Sequence, residues 1–97
     1  MSVESKICRT FGKDCKMALA ISQAENGTRA CDRLNVNTNK TIDVGLFQIN
    51  SVHLKKGYKL SQLIDCDENI QIAYKIYKAS GWNAWVTYKT KAYIKYL

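Results

Sequence analysis

Residues 43–51, DVGLFQINS, place an acid, a glycine and two amides in and around a run of large apolar side chains. Gln48 stands inside that run, at a position where the pattern leads us to expect a hydrophobic residue. A buried amide needs hydrogen bonds, which either a loop carbonyl or a hydroxylated or amide-bearing ligand can supply. Asn50 raises the same question, and its ordinary role is to cap a short helix. Both amides are therefore either bonded within a loop, the commoner case, or turned towards a ligand.

A second polar residue out of pattern ends the helix predicted upstream, over residues 14–25, DCKMALAISQAE. Met17, Ile21 and Glu25 fall at i, i+4 and i+8, so the third member of an apolar stripe is a carboxylate. Burial and the negative end of the helix dipole both raise the pKa of a carboxyl group placed there, which suits a general acid. The alternative is that the helix frays and Glu25 turns into solvent.

Asp43 is the only other acid in residues 33–64 and is the nearest partner in sequence for Glu25. If the chain brings the two carboxyl groups face to face, a separation of about 5 Å suits a retaining glycosidase and about 6.5–9.5 Å an inverting one. The alternative for Asp43 is an Asx turn or a hydrogen bond that holds the loop. We assign no catalytic role to His53, the single histidine of the chain.

The rest of the chain predicts short helices around one irregular segment. Asn26-Gly27 favours a left-handed stop for the helix that begins at Asp14, and residues 28–43 suit a loop or small hairpin. Further helices are predicted over residues 3–11, 50–57, 60–65 and 67–80.

The clearest amphipathic helix is residues 67–80, where Ile72, Ile76 and Ala79 share a face. The C-terminal segment also predicts a helix. Trp82, Trp85 and Tyr88 recur every three residues there, and Ile94 and Leu97 continue the apolar face. The ordinary role of tryptophans at this spacing is core packing, although an indole also stacks on sugar rings and raises the pKa of a nearby carboxyl group.

Length and composition predict a single domain over residues 1–97, since 97 residues with 46% hydrophobic content support one core. The formal charge of +7 favours anionic polymers, but no motif for reading a nucleic acid accompanies it, so we expect no nucleic-acid partner. No apolar run is long enough to span a membrane. The cysteine spacing and the lone histidine predict neither a metal site nor a cofactor.

Four segments in chain order resemble the lysozyme superfamily, in particular its small lytic transglycosylase domains. They are FGKDCKMALAISQAENG (11–27), DVGLFQINSVHL (43–54), LIDCDENIQIAYKIY (63–77) and WNAWVTY (82–88). The resemblance implies an α+β, mostly helical, lysozyme-like fold with a small irregular or β lobe. It also implies a cleft that binds peptidoglycan glycan strands.

The resemblance further implies roles for single residues. Glu25 matches the catalytic acid of the family, and Trp85 matches an indole placed near that acid. Gln48 and Asn50 match residues that contact substrate, and Tyr88 matches a tyrosine of the transglycosylases. The KTK that follows Tyr88 departs from the N-A-G of that motif, so the match is weakest there.

The function implied is cleavage of the β-1,4 bond between N-acetylmuramic acid and N-acetylglucosamine, and we favour a lytic transglycosylase. In a lytic transglycosylase, Glu25 serves first as acid and then as base, while the muramic 6-hydroxyl bonds within its own sugar to form an anhydro ring. In the alternative, a retaining lysozyme, Asp43 attacks or stabilises the oxocarbenium-like centre and water completes hydrolysis. A wall-binding module without turnover is a further alternative, which the presence of the acid disfavours. We expect a monomer.

The four cysteines allow three pairings. We favour Cys31 with Cys66, which ties the loop after the acid to the amphipathic helix, and Cys8 with Cys15 across the turn at Gly12. Disulfides imply an oxidising compartment, so we expect a periplasmic or extracellular protein whose export signal has been removed. Free buried thiols would instead fit the cytosol.

Overall fold

The computed structural model describes all of residues 1–97 as short helices around a three-stranded antiparallel sheet. The α-helices are α1 (Val3–Phe11), α2 (Cys15–Glu25), α3 (Leu60–Leu63), α4 (Cys66–Ser80) and α5 (Val86–Lys89). The strands are β1 (Leu34–Val36), β2 (Ile42–Val44) and β3 (Ile49–Asn50). Short 3-10 helices occupy Gly12–Asp14, Ser51–Lys56, Trp82–Ala84 and Ile94–Tyr96. The mostly helical α+β architecture expected from the sequence is confirmed.

Local capping signals explain where several helices begin and end. The Ser2 hydroxyl accepts a hydrogen bond from the Ser5 amide at 3.1 Å to start α1. Asp65 does the same for α4 through the Glu68 amide at 2.9 Å. The segment after β3 ends at Gly57, whose φ of 100° is the left-handed conformation that favours glycine.

The sheet places Asp43 at the centre of its three strands. In the antiparallel register Asp43 lies opposite Asn35 of β1 on one side and Asn50 of β3 on the other. Directly opposed residues present their side chains on the same face of a sheet. The hairpin suggested for residues 28–43 is therefore present, and the apolar run after it adds the third strand.

An aromatic cluster joins the helices to the turn between β2 and β3. The Phe11 ring lies 5.6 Å from the rings of both Phe47 and Trp82. Trp82 also stacks on Tyr77 at 4.1 Å. Trp82 therefore belongs to the core packing that its spacing made the ordinary expectation.

Buried polar side chains fix the turn at residues 44–47. Asn69 of α4 accepts from the Phe47 amide at 2.9 Å and donates to the Val44 carbonyl at 3.0 Å. Ser22 of α2 donates to the Leu46 carbonyl at 3.0 Å, and Asn26 donates to the Gly45 carbonyl at 3.1 Å. Because each of these groups is buried, each would cost free energy if it were left unpaired. The turn is thus held from both α2 and α4.

The predicted left-handed stop of the second helix is wrong. Asn26 has φ −142° and is not left-handed, because its side chain is drawn into the core to bond Ala30 and Gly45 carbonyls. The predicted start of α2 is observed, since Asp14 occupies its N-cap position, although the Asp14 side chain makes no capping hydrogen bond.

The predicted C-terminal helix is also wrong in its extent. Trp85 has φ −107° and ψ 129°, an extended conformation that separates the turn at 82–84 from α5. Ile94 and Leu97 are 49% and 51% exposed, so no apolar face continues to the end of the segment. In α4, Ala79 is exposed as well, and the buried face runs through Ile70, Ile72 and Ala73.

The structure joins Cys8 to Cys15 and Cys31 to Cys66, the two pairs that we favoured. The first crosses the turn at Gly12, and the second ties the loop after α2 to the start of α4. Two disulfides fit an oxidising compartment. None of the helices has both the length and the apolar character needed to cross a bilayer.

Candidate active site

A cleft of about 370 Å³ lies between the sheet and the helices, and it contains both carboxyl groups singled out from the sequence. No lysine or arginine lines it, so the positive charge of the protein is outside the cleft. Its lining residues are Glu25, Asn37, Asn39, Thr41, Asp43, Gln48, Ile49, Asn50, His53, Ile76, Ala84, Trp85 and Val86.

Glu25 is the last residue of α2 and is partly buried in the cleft wall. Its Oε2 accepts hydrogen bonds from Thr87, from the hydroxyl at 2.8 Å and from the amide at 3.5 Å. Burial raises the pKa of this carboxyl group, the Thr87 bonds lower it, and the charge of Asp43 adds a smaller rise. Burial prevails, so the net pKa is raised, as a proton donor requires.

The raised pKa of Glu25 makes stability depend on pH. At a pH below the pKa of Glu25 in the unfolded protein, the carboxyl group is protonated in both the folded and the unfolded state and does not lower the free energy of unfolding. As pH rises towards the higher folded pKa, the unfolded state ionises first and the protein loses stability. Glu25→Gln is therefore expected to stabilise the protein more at about pH 7 than at about pH 4. Urea unfolding of the parent and variant at both pH values checks this, with exposed Asp32→Asn as control. A stability difference that does not change with pH would contradict it.

Asp43 projects from β2 and is held by two amides. Its Oδ1 accepts from Asn50 Nδ2 at 3.0 Å, and its Oδ2 accepts from Asn37 Nδ2 at 3.2 Å. The hydroxyl oxygen of Thr41 accepts from the same two amides at 3.0 and 3.1 Å. These bonds orient Asp43 towards the cleft. Its surroundings are polar, whereas those of Glu25 are dominated by burial.

Gln48 lines the cleft, but the protein already uses its amide. It is 6% exposed, its Nε2 donates to the Gly45 and Arg33 carbonyls at 2.9 and 3.3 Å, and its Oε1 accepts from Asn35. The loop carbonyls therefore satisfy the buried amide, which is the commoner of the two roles considered. Contact between Gln48 and substrate stays a prediction.

Asn50 both caps a turn and orients Asp43. Its Oδ1 accepts from the Val52 amide at 3.0 Å, while its Nδ2 bonds Asp43 and Thr41. The predicted capping role is observed. The bonds to Asp43 were not expected from the sequence.

The two aromatic candidates differ in position. Trp85 is 4% exposed, donates from its indole Nε1 to the Phe47 carbonyl at 2.9 Å and lines the cleft together with Glu25. Tyr88 does not line the cleft, because its ring stacks on Tyr93 at 5.3 Å. The structure therefore gives no support to a substrate contact by Tyr88.

Sequence reasoning missed Thr87, Asn37 and Thr41. Asn37 and Thr41 belong to the Asn- and Thr-rich loop, and that density of polar groups opposite Glu25 was the available signal. His53, to which the sequence assigned no catalytic role, also lines the cleft; burial, followed by the charge of Lys56, lowers its pKa. Thr87 gave no signal, since its partner lies 62 residues away in sequence.

The fold and the cleft together define a lysozyme-like α+β protein with a glutamate at the end of a helix facing an aspartate on a small sheet. A model of the family described as "Lysozyme like domain" matches residues 7–87, so the chain belongs to this family. Membership indicates action on peptidoglycan. No curated protein matches the chain.

Proposed function

We propose that the chain is a periplasmic or extracellular muramidase that cleaves the β-1,4 bond between N-acetylmuramic acid and N-acetylglucosamine. The observation that carries the proposal is the pair of carboxyl groups in unlike environments on one cleft. Glu25 is partly buried with a raised pKa, and Asp43 is held by two amide donors. Two carboxyl groups on one cleft, one buried and the other in a polar, hydrogen-bonded setting, are the arrangement for which lysozyme itself is the type case.

In the first step Glu25 donates its proton to the glycosidic oxygen, and the bond between that oxygen and C1 breaks with its electron pair on the oxygen. Asp43 stabilises the positive charge at C1 or bonds to it. In the second step the Glu25 carboxylate takes a proton from water, whose oxygen bonds to C1 and releases Asp43. Both carboxyl groups return to their starting states.

The fixed orientation of Asp43 favours this retaining hydrolysis over the transglycosylation that the sequence resemblance favoured. Amide donors on both oxygens hold Asp43 towards the cleft, which is the placement that a role at C1 requires, and the same bonds also hold the loop, the alternative role considered for Asp43. Transglycosylation is the second candidate, and the match of AENG and DVGLFQIN to small lytic transglycosylases supports it. In that reaction the muramic 6-hydroxyl replaces water, and Glu25 removes its proton.

Digestion of purified peptidoglycan, followed by mass analysis of the released muropeptides, tests the proposal. Reducing ends are expected for hydrolysis, and 1,6-anhydro ends identify transglycosylation. Release of no soluble fragments would overturn the muramidase assignment and leave a wall-binding module.

Asp43→Asn tests the role of the second carboxyl group. Hydrolysis is expected to slow by about 10²–10³-fold, because the charge that stabilises the transition state is lost while the side-chain shape is kept. The rate of fragment release measures the effect. Asp32→Asn on the exposed surface makes the same change in net charge and serves as the matched control. A folded Asp43→Asn variant that keeps the parental rate would contradict the retaining mechanism.

A further inference from the structure

The two oxygens of the Glu25 carboxyl group have different surroundings. Oε2 accepts both hydrogen bonds from Thr87, at 2.8 Å from the hydroxyl and 3.5 Å from the amide. These are the only hydrogen bonds to this carboxyl group from the protein, so Oε1 has no protein partner. A carboxyl group bonded in this way is not symmetric.

The neighbours of Thr87 in the chain place it next to Glu25. Two residues earlier, the Trp85 indole is anchored in the core by its bond to the Phe47 carbonyl at 2.9 Å. The backbone then turns into α5, with the Tyr88 amide bonded to the Trp85 carbonyl at 3.2 Å. Threonine is also branched at Cβ, which restricts its χ1 angle. These contacts place the hydroxyl at the end of α2, within hydrogen-bond distance of Oε2.

We propose that Thr87 is a positioning residue, whose hydroxyl keeps Oε2 of Glu25 as an acceptor and so places the acidic proton on Oε1, the oxygen left for the substrate. An oxygen that accepts two hydrogen bonds is the less favourable of the two for carrying a proton. This inference rests on the proposed function, in which Glu25 delivers its proton to the glycosidic oxygen of the substrate. Thr87 itself touches no reacting atom in this scheme.

The hydrogen bond from Thr87 also affects the pKa of Glu25. Burial raises the pKa of the carboxyl group most, the Thr87 hydrogen bonds lower it, and the charge of Asp43 adds a smaller rise. Asp43 and His53 are the other titratable groups that line the cleft. The C-terminal elements that pack on α2, namely α5 and Ile94–Tyr96, carry Tyr88, Lys89, Lys95 and Tyr96. The N-terminal elements that pack on α2, namely α1 and Gly12–Asp14, carry Glu4, Lys6, Arg9, Lys13 and Asp14.

Thr87→Val tests the proposal, because it removes the hydroxyl and keeps the branched shape. The titration of the Glu25 side chain, followed by carbon-13 NMR of its carboxyl group, is expected to move to higher pH by about one unit, as for the loss of one hydrogen bond to a charged acceptor. The alkaline limb of the rate of peptidoglycan cleavage should move by the same amount. At acidic pH, where Glu25 is protonated, the rate of peptidoglycan cleavage should fall, because the proton is no longer directed to Oε1.

Two further variants separate the hydroxyl from other effects. Thr87→Ser keeps the donor and is expected to restore the titration and pH profile of the parent. Thr10→Val in α1 makes the same chemical change away from the cleft and should leave both unchanged. Unchanged titration of Glu25 in Thr87→Val, or the same shift in Thr87→Ser, would overturn the proposal.

The two levels of inference fail separately. If Glu25→Gln stops cleavage while Thr87→Val leaves the Glu25 titration unchanged, the muramidase assignment stands and the role of Thr87 is wrong. If Thr87→Val shifts the titration but the parent releases no fragments from peptidoglycan, the bond is real and the assignment of function is wrong. In that case the positioning role, which requires a reaction, is overturned as well.

Discussion

Glu25→Gln is expected to reduce peptidoglycan cleavage by about 10²–10⁴-fold, the usual contribution of a general acid. Gln has nearly the shape of Glu and can still accept the hydrogen bonds of Thr87, but it cannot deliver a proton to the glycosidic oxygen. Release of muropeptides per minute from purified peptidoglycan measures the loss. Circular dichroism shows whether the variant is folded.

The control for this variant is Asp32→Asn, which changes the formal charge from +7 to +8 in the same way at an exposed site. It separates proton transfer from a change in attraction to an anionic wall. Cleavage at the parental rate by folded Glu25→Gln would remove Glu25 as the acid, and with it the mechanism proposed above.

Gly45→Ala is expected to destabilise the fold by about 2–5 kcal/mol. This is the sum of the free-energy cost of a left-handed backbone conformation at a residue with a Cβ and the cost of overpacking against its neighbours. Gly45 has φ +78°. An added Cβ would lie 2.5 Å from Asn69 Nδ2 and 2.9 Å from the Cys31 carbonyl oxygen, and closer still to the carbonyl of Leu63. These are backbone and buried side-chain atoms, which cannot move without breaking other bonds. Urea denaturation measures the change, since a lower midpoint at constant slope reports lost stability.

Gly57→Ala is the matched control, because Gly57 has φ +100° but no atom within 4 Å of an added Cβ. Only the conformational cost of about 1–2 kcal/mol is expected there. Equal losses at the two glycines would show that the close approach at Gly45 contributes nothing. The larger loss should also reduce cleavage, because the Gly45 carbonyl accepts from both Asn26 and Gln48 and so connects the end of α2 to the sheet.

The sequence anticipated the fold best where local rules apply. Helices α1 and α4 follow from apolar spacing and capping residues, and their observed bounds differ little from the predicted ones. The same rules failed at Trp85, where spacing of three residues suggested a continuous helix. There the indole bonds the Phe47 carbonyl in the core, and the backbone becomes extended to allow it. Core contacts outweighed a local preference of a fraction of a kcal/mol per residue.

In the candidate site, too, features local to one element were predictable from the sequence and contacts between elements were not. Glu25 was identifiable because a carboxylate on an apolar stripe at a helix end is unusual within a single element. Gln48 was identifiable as a buried amide, but which of its two possible kinds of partner it uses was not; the partners are the Gly45 and Arg33 carbonyls and the Asn35 amide. Asn50 was expected to cap a turn, and its second task of holding Asp43 depends on the pairing of β2 with β3.

The sequence by itself determined which groups are present and where they stand in their own elements, including an acid that closes α2 and an aspartate in the Asn- and Thr-rich segment. Helix period and capping are local, so they can be derived from neighbouring residues. Only the tertiary structure decided that Glu25 meets Thr87 and that Asp43 is held between Asn37 and Asn50. Burial selects such bonds between elements, because a polar group removed from water must find its partner wherever the folded chain supplies one.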